Sequence, residues 1–133
     1  MRKLSASENY RGDSMTYSEK FKQLFMYPAH ANQIDYTHTA EVVYPEHGDR
    51  VRIFVKLENF LIKDISFKAI GCPRVIAASE ALCRLVNGKN INIALEINEE
   101  HIRQEMDFHD KEFKCIMAPV EALKKALSKL ENE

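Results

Sequence analysis

Between residues 37 and 70 three strand-like runs follow one another with links of only a few residues, and this constrains the fold more than any other feature. The runs are Thr37 to Tyr44, Arg50 to Leu57 and Leu61 to Ala69, joined through Pro45–Asp49 and Glu58–Phe60. Parallel neighbours need a crossover of a dozen or more residues, so these runs predict an antiparallel sheet of three strands. In the middle run Val51, Ile53, Val55 and Leu57 point one way, and Arg50, Arg52 and Lys56 the other. That alternation predicts a sheet covered on a single face.

After Gly71 the apolar period becomes helical. Val75, Ser79, Leu82, Cys83 and Val86 share one side of a helix that ends near Gly88. Ile91 to Met106 reads as one or two shorter helices with Asn92 and Asn98 as caps, and Phe108 to Lys114 as a loop. A last helix is predicted from Ile116 to about Leu130, with Pro119 in its first turn and Val120, Leu123, Ala126, Leu127 and Leu130 as its apolar stripe. An earlier helix, Thr16 to Met26, is capped by Ser18 and stopped by Pro28. Helix, three strands, then helices is the order of an α+β sandwich with helices packed on one sheet face.

A chain of 133 residues suits one domain, expected over 16–133, with 1–15 as a flexible N-terminal tail. The net charge of -1 leaves no field to draw in nucleic acid or an anionic membrane. No apolar run approaches the roughly 18–20 residues that cross a bilayer, and the first residues do not form a secretory signal. The expectation is a cytoplasmic protein with no nucleic-acid or membrane partner.

The cysteines are Cys72, Cys83 and Cys115, with no Cys-x-x-Cys pair. An odd, widely spaced set does not suit a disulfide framework, so a thiol site must be assembled from distant stretches. Cys72 stands between the third strand and the following helix, whose first amides and dipole favour a thiolate. Cys115 precedes the last helix, where Lys114 adds positive charge. Either cysteine is equally read as a small buried apolar residue, the role assigned to Cys83. His47 and Asp49 flank Gly48 in the first hairpin link; they read as turn residues or as an imidazole and a carboxylate facing two thiols. The third strand runs parallel to the first, so Cys72 emerges beside the His47 loop, whereas the position of Cys115 does not follow from strand order. Such donors suit tetrahedral zinc, and imidazole and thiolate also hold iron–sulfur centres. His30, His38, His101 and His109 read as surface or loop residues.

From Tyr17 to Lys129 the chain resembles the IscU/NifU-type iron–sulfur scaffold family, including its SufU branch. The resemblance rests on Tyr17-Ser18-Glu19-Lys20, Tyr27-Pro28, Gly48-Asp49, Ile65 to Cys72, Ile76-Ala77-Ala78-Ser79, Gly88-Lys89, and Lys114-Cys115 leading into Glu121-Ala122-Leu123. It implies an IscU/SufE-like fold and a scaffold and carrier, not an enzyme. Such a scaffold accepts sulfur from a cysteine desulfurase, binds iron as a [2Fe–2S] cluster and passes it to acceptor proteins. It also implies a site in which Asp49 is the aspartate ligand, Cys72 the middle cysteine and Cys115 the last cysteine and sulfur acceptor. The family's first cysteine is replaced by His47, the residue before the last cysteine is Lys114 as in the SufU branch, and the chaperone-binding Pro-Pro-Val segment has no match in Asp110 to Phe113. A histidine ligand makes the site less anionic and cannot carry a persulfide. Three readings follow: a scaffold with a His-for-Cys site, a zinc-dependent sulfur acceptor, and a diverged binding module. The exposed loop-and-helix end that carries the site is the expected docking surface for partners; Tyr17 to Phe25 is a candidate contact segment, and its apolar residues read equally as core.

Overall fold

The computed structural model describes residues 17–128, without the His47 side chain. The expected N-terminal tail and Leu130 lie outside the described residues. The elements are α1 (Glu19–Met26), β1 (His38–Tyr44), β2 (Asp49–Glu58), β3 (Leu61–Ile70), α2 (Pro73–Val86), α3 (Ile91–Leu95), α4 (Glu99–Met106) and α5 (Ala118–Leu127). Short 3-10 turns occupy Pro45–His47 and Lys114–Met117. The sheet order is β1-β2-β3, antiparallel throughout. Among the described residues no helix is long and apolar enough to cross a membrane.

The alternation in β2 sets the core. Val51, Ile53 and Val55 are buried, alongside Ile65 and Phe67 of β3, under α2 and α5. Ser18 caps α1 by accepting the Phe21 amide, and Phe21 and Leu24 face inward. Phe21 and Leu24 of the candidate contact segment are therefore core, while Glu19, Lys20 and Gln23 stay exposed. The cap of α3 is Asn90 and not Asn92, while Asn98 caps α4 in a reciprocal pair with His101.

The opposite sheet face is also partly covered, contrary to the single-sided expectation. Phe54 and Ser66 on that face are buried. The segment 27–37 passes the β3 edge, where His30 O accepts the Phe67 amide at 2.9 Å, and places the Tyr36 ring 5.2 Å from that of Phe54. It is anchored by Glu80 of α2, whose side chain is fully buried. Glu80 Oε1 accepts the His30 amide, and Oε2 meets His30 Nδ1 and Arg84 Nε, each at 2.9 Å. His30 is thus a loop residue, as expected, but half-buried and with a structural partner. Burial pushes the Glu80 carboxyl up, but the bonds from His30 and Arg84 outweigh it and hold the group below its ordinary value.

Glu80→Gln should cost about 1–2 kcal/mol, because one charge-assisted set of bonds is lost while the His30 amide keeps an acceptor. A depressed carboxyl stabilises the fold above its unfolded value and loses that contribution as pH falls through the folded one. The gap in melting temperature between wild type and variant should therefore narrow on acidification.

Candidate metal and sulfur site

The site lies where β2 begins, β3 ends and α2 starts. Asp49 opens β2 directly after Gly48, the left-handed residue (φ 71°) that caps the 3-10 turn ending at His47. In register it faces Tyr44, whose hydroxyl donates to Glu121 Oε2 at 2.9 Å and so ties this sheet end to α5. Burial and the bond to Glu121 push the Tyr44 hydroxyl up to about 12. Asp49 is 1% exposed. Its Oδ1 accepts the Cys72 amide at 3.1 Å, and its Oδ2 is buried with no hydrogen-bond partner among the described residues.

Gly71 makes this approach possible. Its φ is 148°, and a methyl group there would overlap Asp49 Oδ1 and come within 3.0 Å of Asp49 Cγ. Gly71→Ala should lose about 2 kcal/mol through backbone strain and, by displacing the carboxylate, weaken metal binding roughly tenfold or more. Urea unfolding and competition with a chromophoric chelator measure the two effects. Gly48→Ala is the control, because a methyl group at Gly48 meets nothing within 4 Å. It should cost stability and leave metal affinity nearly unchanged.

Cys72 is the N-cap residue of α2. Cys115 sits in the 3-10 turn before α5, and Pro119 explains that turn. A continuous α-helix would satisfy the Cys115 carbonyl with the amide of residue 119, which proline lacks; Ala118 N–H bonds it instead, in 3-10 fashion. This replaces the predicted helix start at Ile116. The two sulfurs are 3.7 Å apart, and one ligand atom from each of Asp49, Cys72 and Cys115 lies within 4.8 Å of the others. Two thiolates about 2.3 Å from one tetrahedral metal are separated by about 3.8 Å, so the spacing fits a shared ion. The unpartnered Asp49 Oδ2 supplies a third donor, a buried carboxylate oxygen that a cation would satisfy. His47 reaches this end of the sheet through its backbone; its side chain lies outside the described residues.

Metal-free, the two thiols share a hydrogen bond, and their titrations separate. The bond from Cys115 is the largest influence on Cys72. It prevails over burial, with help from the Val75 amide and the Arg74 charge, and lowers Cys72 to about 6. Cys115 is pushed up by the same contact, then by burial and by the neighbouring Cys72 and Asp49 charges. Cys83 is fully buried, which raises its thiol well above the ordinary value, consistent with a core role.

A hollow of about 280 Å³ opens over Asp49, Cys72 and Cys115, with Arg74, Glu112, Phe113 and Lys114 as walls. A larger groove, about 550 Å³, lies elsewhere, between Pro28, Arg52 and Lys68, and includes none of these ligands. The positive charge acting on the thiols comes from Arg74; Lys114 is turned to solvent and pairs with Glu99 at 3.5 Å. Arg74 was legible in principle. It stands in the first turn of α2, where the helix dipole disfavours a cation, and a residue placed against that preference marks a site.

A family model described as NifU-like N terminal domain matches residues 16–133. "Iron sulfur cluster assembly protein 1" of Trachipleistophora hominis is 29% identical over 121 residues, covering 91% of this chain and 86% of that one. "Iron-sulfur cluster assembly scaffold protein IscU" of Haemophilus influenzae is 29% identical over 119 residues, covering 86% and 94%. Among solved structures, a putative iron–sulfur cluster assembly scaffold protein for the SUF system from Fervidobacterium islandicum superposes with a TM-score of 0.71 at 22% identity, covering 84% of this chain and 96% of that one. The N-terminal part of a NifU-like protein from Brucella abortus gives 0.71 at 12% identity, covering 87% and 94%. The family match takes in the whole described fold, and the chain belongs to the IscU/NifU-type family defined by the NifU-like N terminal domain.

Proposed function

We propose that this protein is an iron–sulfur cluster assembly scaffold that takes up iron and sulfur at Asp49, Cys72 and Cys115, with His47 as the fourth ligand. The observation that carries the reading is the buried, unpartnered Asp49 Oδ2 beside two sulfurs 3.7 Å apart. The Haemophilus influenzae relative named as a cluster assembly scaffold and the Trachipleistophora hominis relative named as a cluster assembly protein support it. Iron and sulfur are here the cargo, delivered by a cysteine desulfurase and an iron source and handed to acceptor proteins.

The chain's own residues account for sulfur uptake. The Cys115 proton passes to the Cys72 thiolate across their contact. The Cys115 thiolate then attacks the terminal sulfur of the donor's persulfide; a sulfur–sulfur bond forms at Cys115, the donor's bond breaks, and the donor leaves as a thiolate. Cys72 takes up this proton as the partner in the contact, against the resting preference that leaves it the thiolate. Asp49 is the hard oxygen donor, holding soft cluster iron less firmly than thiolate does, which suits a site that must release its cargo.

Anaerobic incubation of the metal-free protein with ferrous iron and a sulfur donor should produce visible absorption of a protein-bound cluster. A protein that remains colourless sinks the scaffold reading. A zinc-binding sulfur acceptor is the second reading, favoured by a sulfur spacing that suits tetrahedral zinc. It predicts one extra sulfur on Cys115 by mass spectrometry after incubation with a desulfurase, and no cluster.

A further inference from the structure

Two residues that line the hollow carry unmatched polar atoms of opposite kind. Asp49 Oδ2 is an acceptor without a donor, and Arg74 Nε is a buried donor without an acceptor among the described residues. A metal ion satisfies only the first. Arg74 is held in place by two contacts. Its Nη1 donates to the Tyr17 hydroxyl at 2.9 Å, and its guanidinium carbon lies 3.9 Å from the centre of the Phe113 ring, two residues before Cys115. From that position its charge acts on both sulfurs.

We infer that Arg74 forms an anion subsite beside the metal ligands, and that its ligand is the anionic terminal sulfur of a persulfide carried by Cys115. This rests on the sulfur-uptake reading above. A persulfide places its negative charge one atom beyond Cys115 Sγ, inside the hollow that Arg74 lines. A guanidinium suits a large, weakly hydrated anion: it is itself weakly hydrated, always charged, and still has unused N–H donors after the Tyr17 bond. The stacking on Phe113 links the subsite to the chain segment that presents Cys115. Of the three ligand charges around the site, two thiolates and a carboxylate, none is matched by Lys114, which faces solvent. Lys114 also borders the hollow, but its ammonium pairs with Glu99, and Arg74 is the cation that acts on the sulfurs.

The test uses charge-matched thiol reagents on the chelator-treated, full-length protein. Iodoacetate places a carboxylate close to where the persulfide anion would sit, whereas iodoacetamide is neutral and of similar size. Each is added in limiting amount, and labelling of Cys115 is counted by peptide mass spectrometry. Both reagents attack the same thiolate, so the ratio of their rates cancels the thiolate fraction and reports the surrounding charge. The iodoacetate to iodoacetamide ratio at Cys115 should exceed that of the urea-unfolded chain by roughly tenfold. Arg74→Gln should return the ratio to the unfolded value with little change in the iodoacetamide rate, and Arg74→Lys should keep part of it. A merely structural role for Arg74 would alter both reagents alike. A wild-type ratio equal to that of the unfolded chain overturns the subsite without reference to any variant. So does an Arg74→Gln protein of wild-type melting temperature whose ratio is unchanged. Because no iron or cluster enters the measurement, failure of cluster assembly and failure of the subsite give separate results.

Discussion

Cys72→Ala and Cys115→Ala should each abolish cluster formation on anaerobic reconstitution, and each should weaken zinc binding by at least about 100-fold. The magnitude follows from comparison: removing groups that only orient a ligand costs roughly 10–100-fold, and a lost ligand should cost no less. Cys83→Ala should leave the visible spectrum unchanged, because its sulfur is sealed in the core and takes no part in the ligand group. The two site variants should differ from each other before any metal is added. In the metal-free wild type, Cys72 is lowered to about 6, first through the hydrogen bond from Cys115. Alkylation of Cys72 by iodoacetamide should therefore rise with pH through about 6 in wild type. In Cys115→Ala that rise should move to higher pH, because the principal stabiliser of the thiolate is gone. A Cys72 profile that is the same in both proteins would show that the sulfurs do not face each other, and the shared-ion argument would fail with it.

Half of this site is readable from strand order. Once three short-linked strands are read as antiparallel, the exit of the third must return to the end where the first turns into the second. That places Cys72 beside Asp49, and the amide bond between them follows. Cys115 is different. Its position depends on how a loop of irregular conformation is held against α2 and α4, which no local period encodes; family resemblance supplied the ligand, and the fold supplies the reason. Charged residues were the other blind spot. Glu80 and Arg103 lie on helices where a charge ordinarily marks the solvent side, yet both are buried because irregular segments bring them partners, a distant one for Glu80 and the loop directly after α4 for Arg103. Phe54 breaks the polar alternation of β2 for the same cause, since the segment 27–37 returns across that face. Periodicity reports what a helix or strand buries against its regular neighbours, and it misses what a loop buries.

Arg103→Met should be the most damaging change outside the ligands, lowering stability by about 3 kcal/mol and the melting temperature by roughly 10 °C. The Arg103 side chain is 1% exposed. Its Nε donates to Glu99 Oε2 at 2.7 Å, Nη1 to Asp110 O at 2.7 Å, and Nη2 to Phe113 O at 3.2 Å. One planar fork thus closes the 108–113 loop onto α4 just before it delivers Cys115. Methionine keeps most of the volume and removes all three bonds, so the loss reports the bonds and not a cavity. Glu99 is partly exposed and regains water, which holds the estimate at the lower end for a broken buried pair. Lysine keeps the charge but not the fork, and Arg103→Lys should recover less than half of the stability. The consequence for function is separable. If the fork sets the position of Cys115, Arg103→Met should also weaken zinc binding about tenfold at a temperature where the protein remains folded. A variant that loses stability but binds zinc as tightly as wild type would show that Pro119 and α5 hold Cys115 in place without help from the loop.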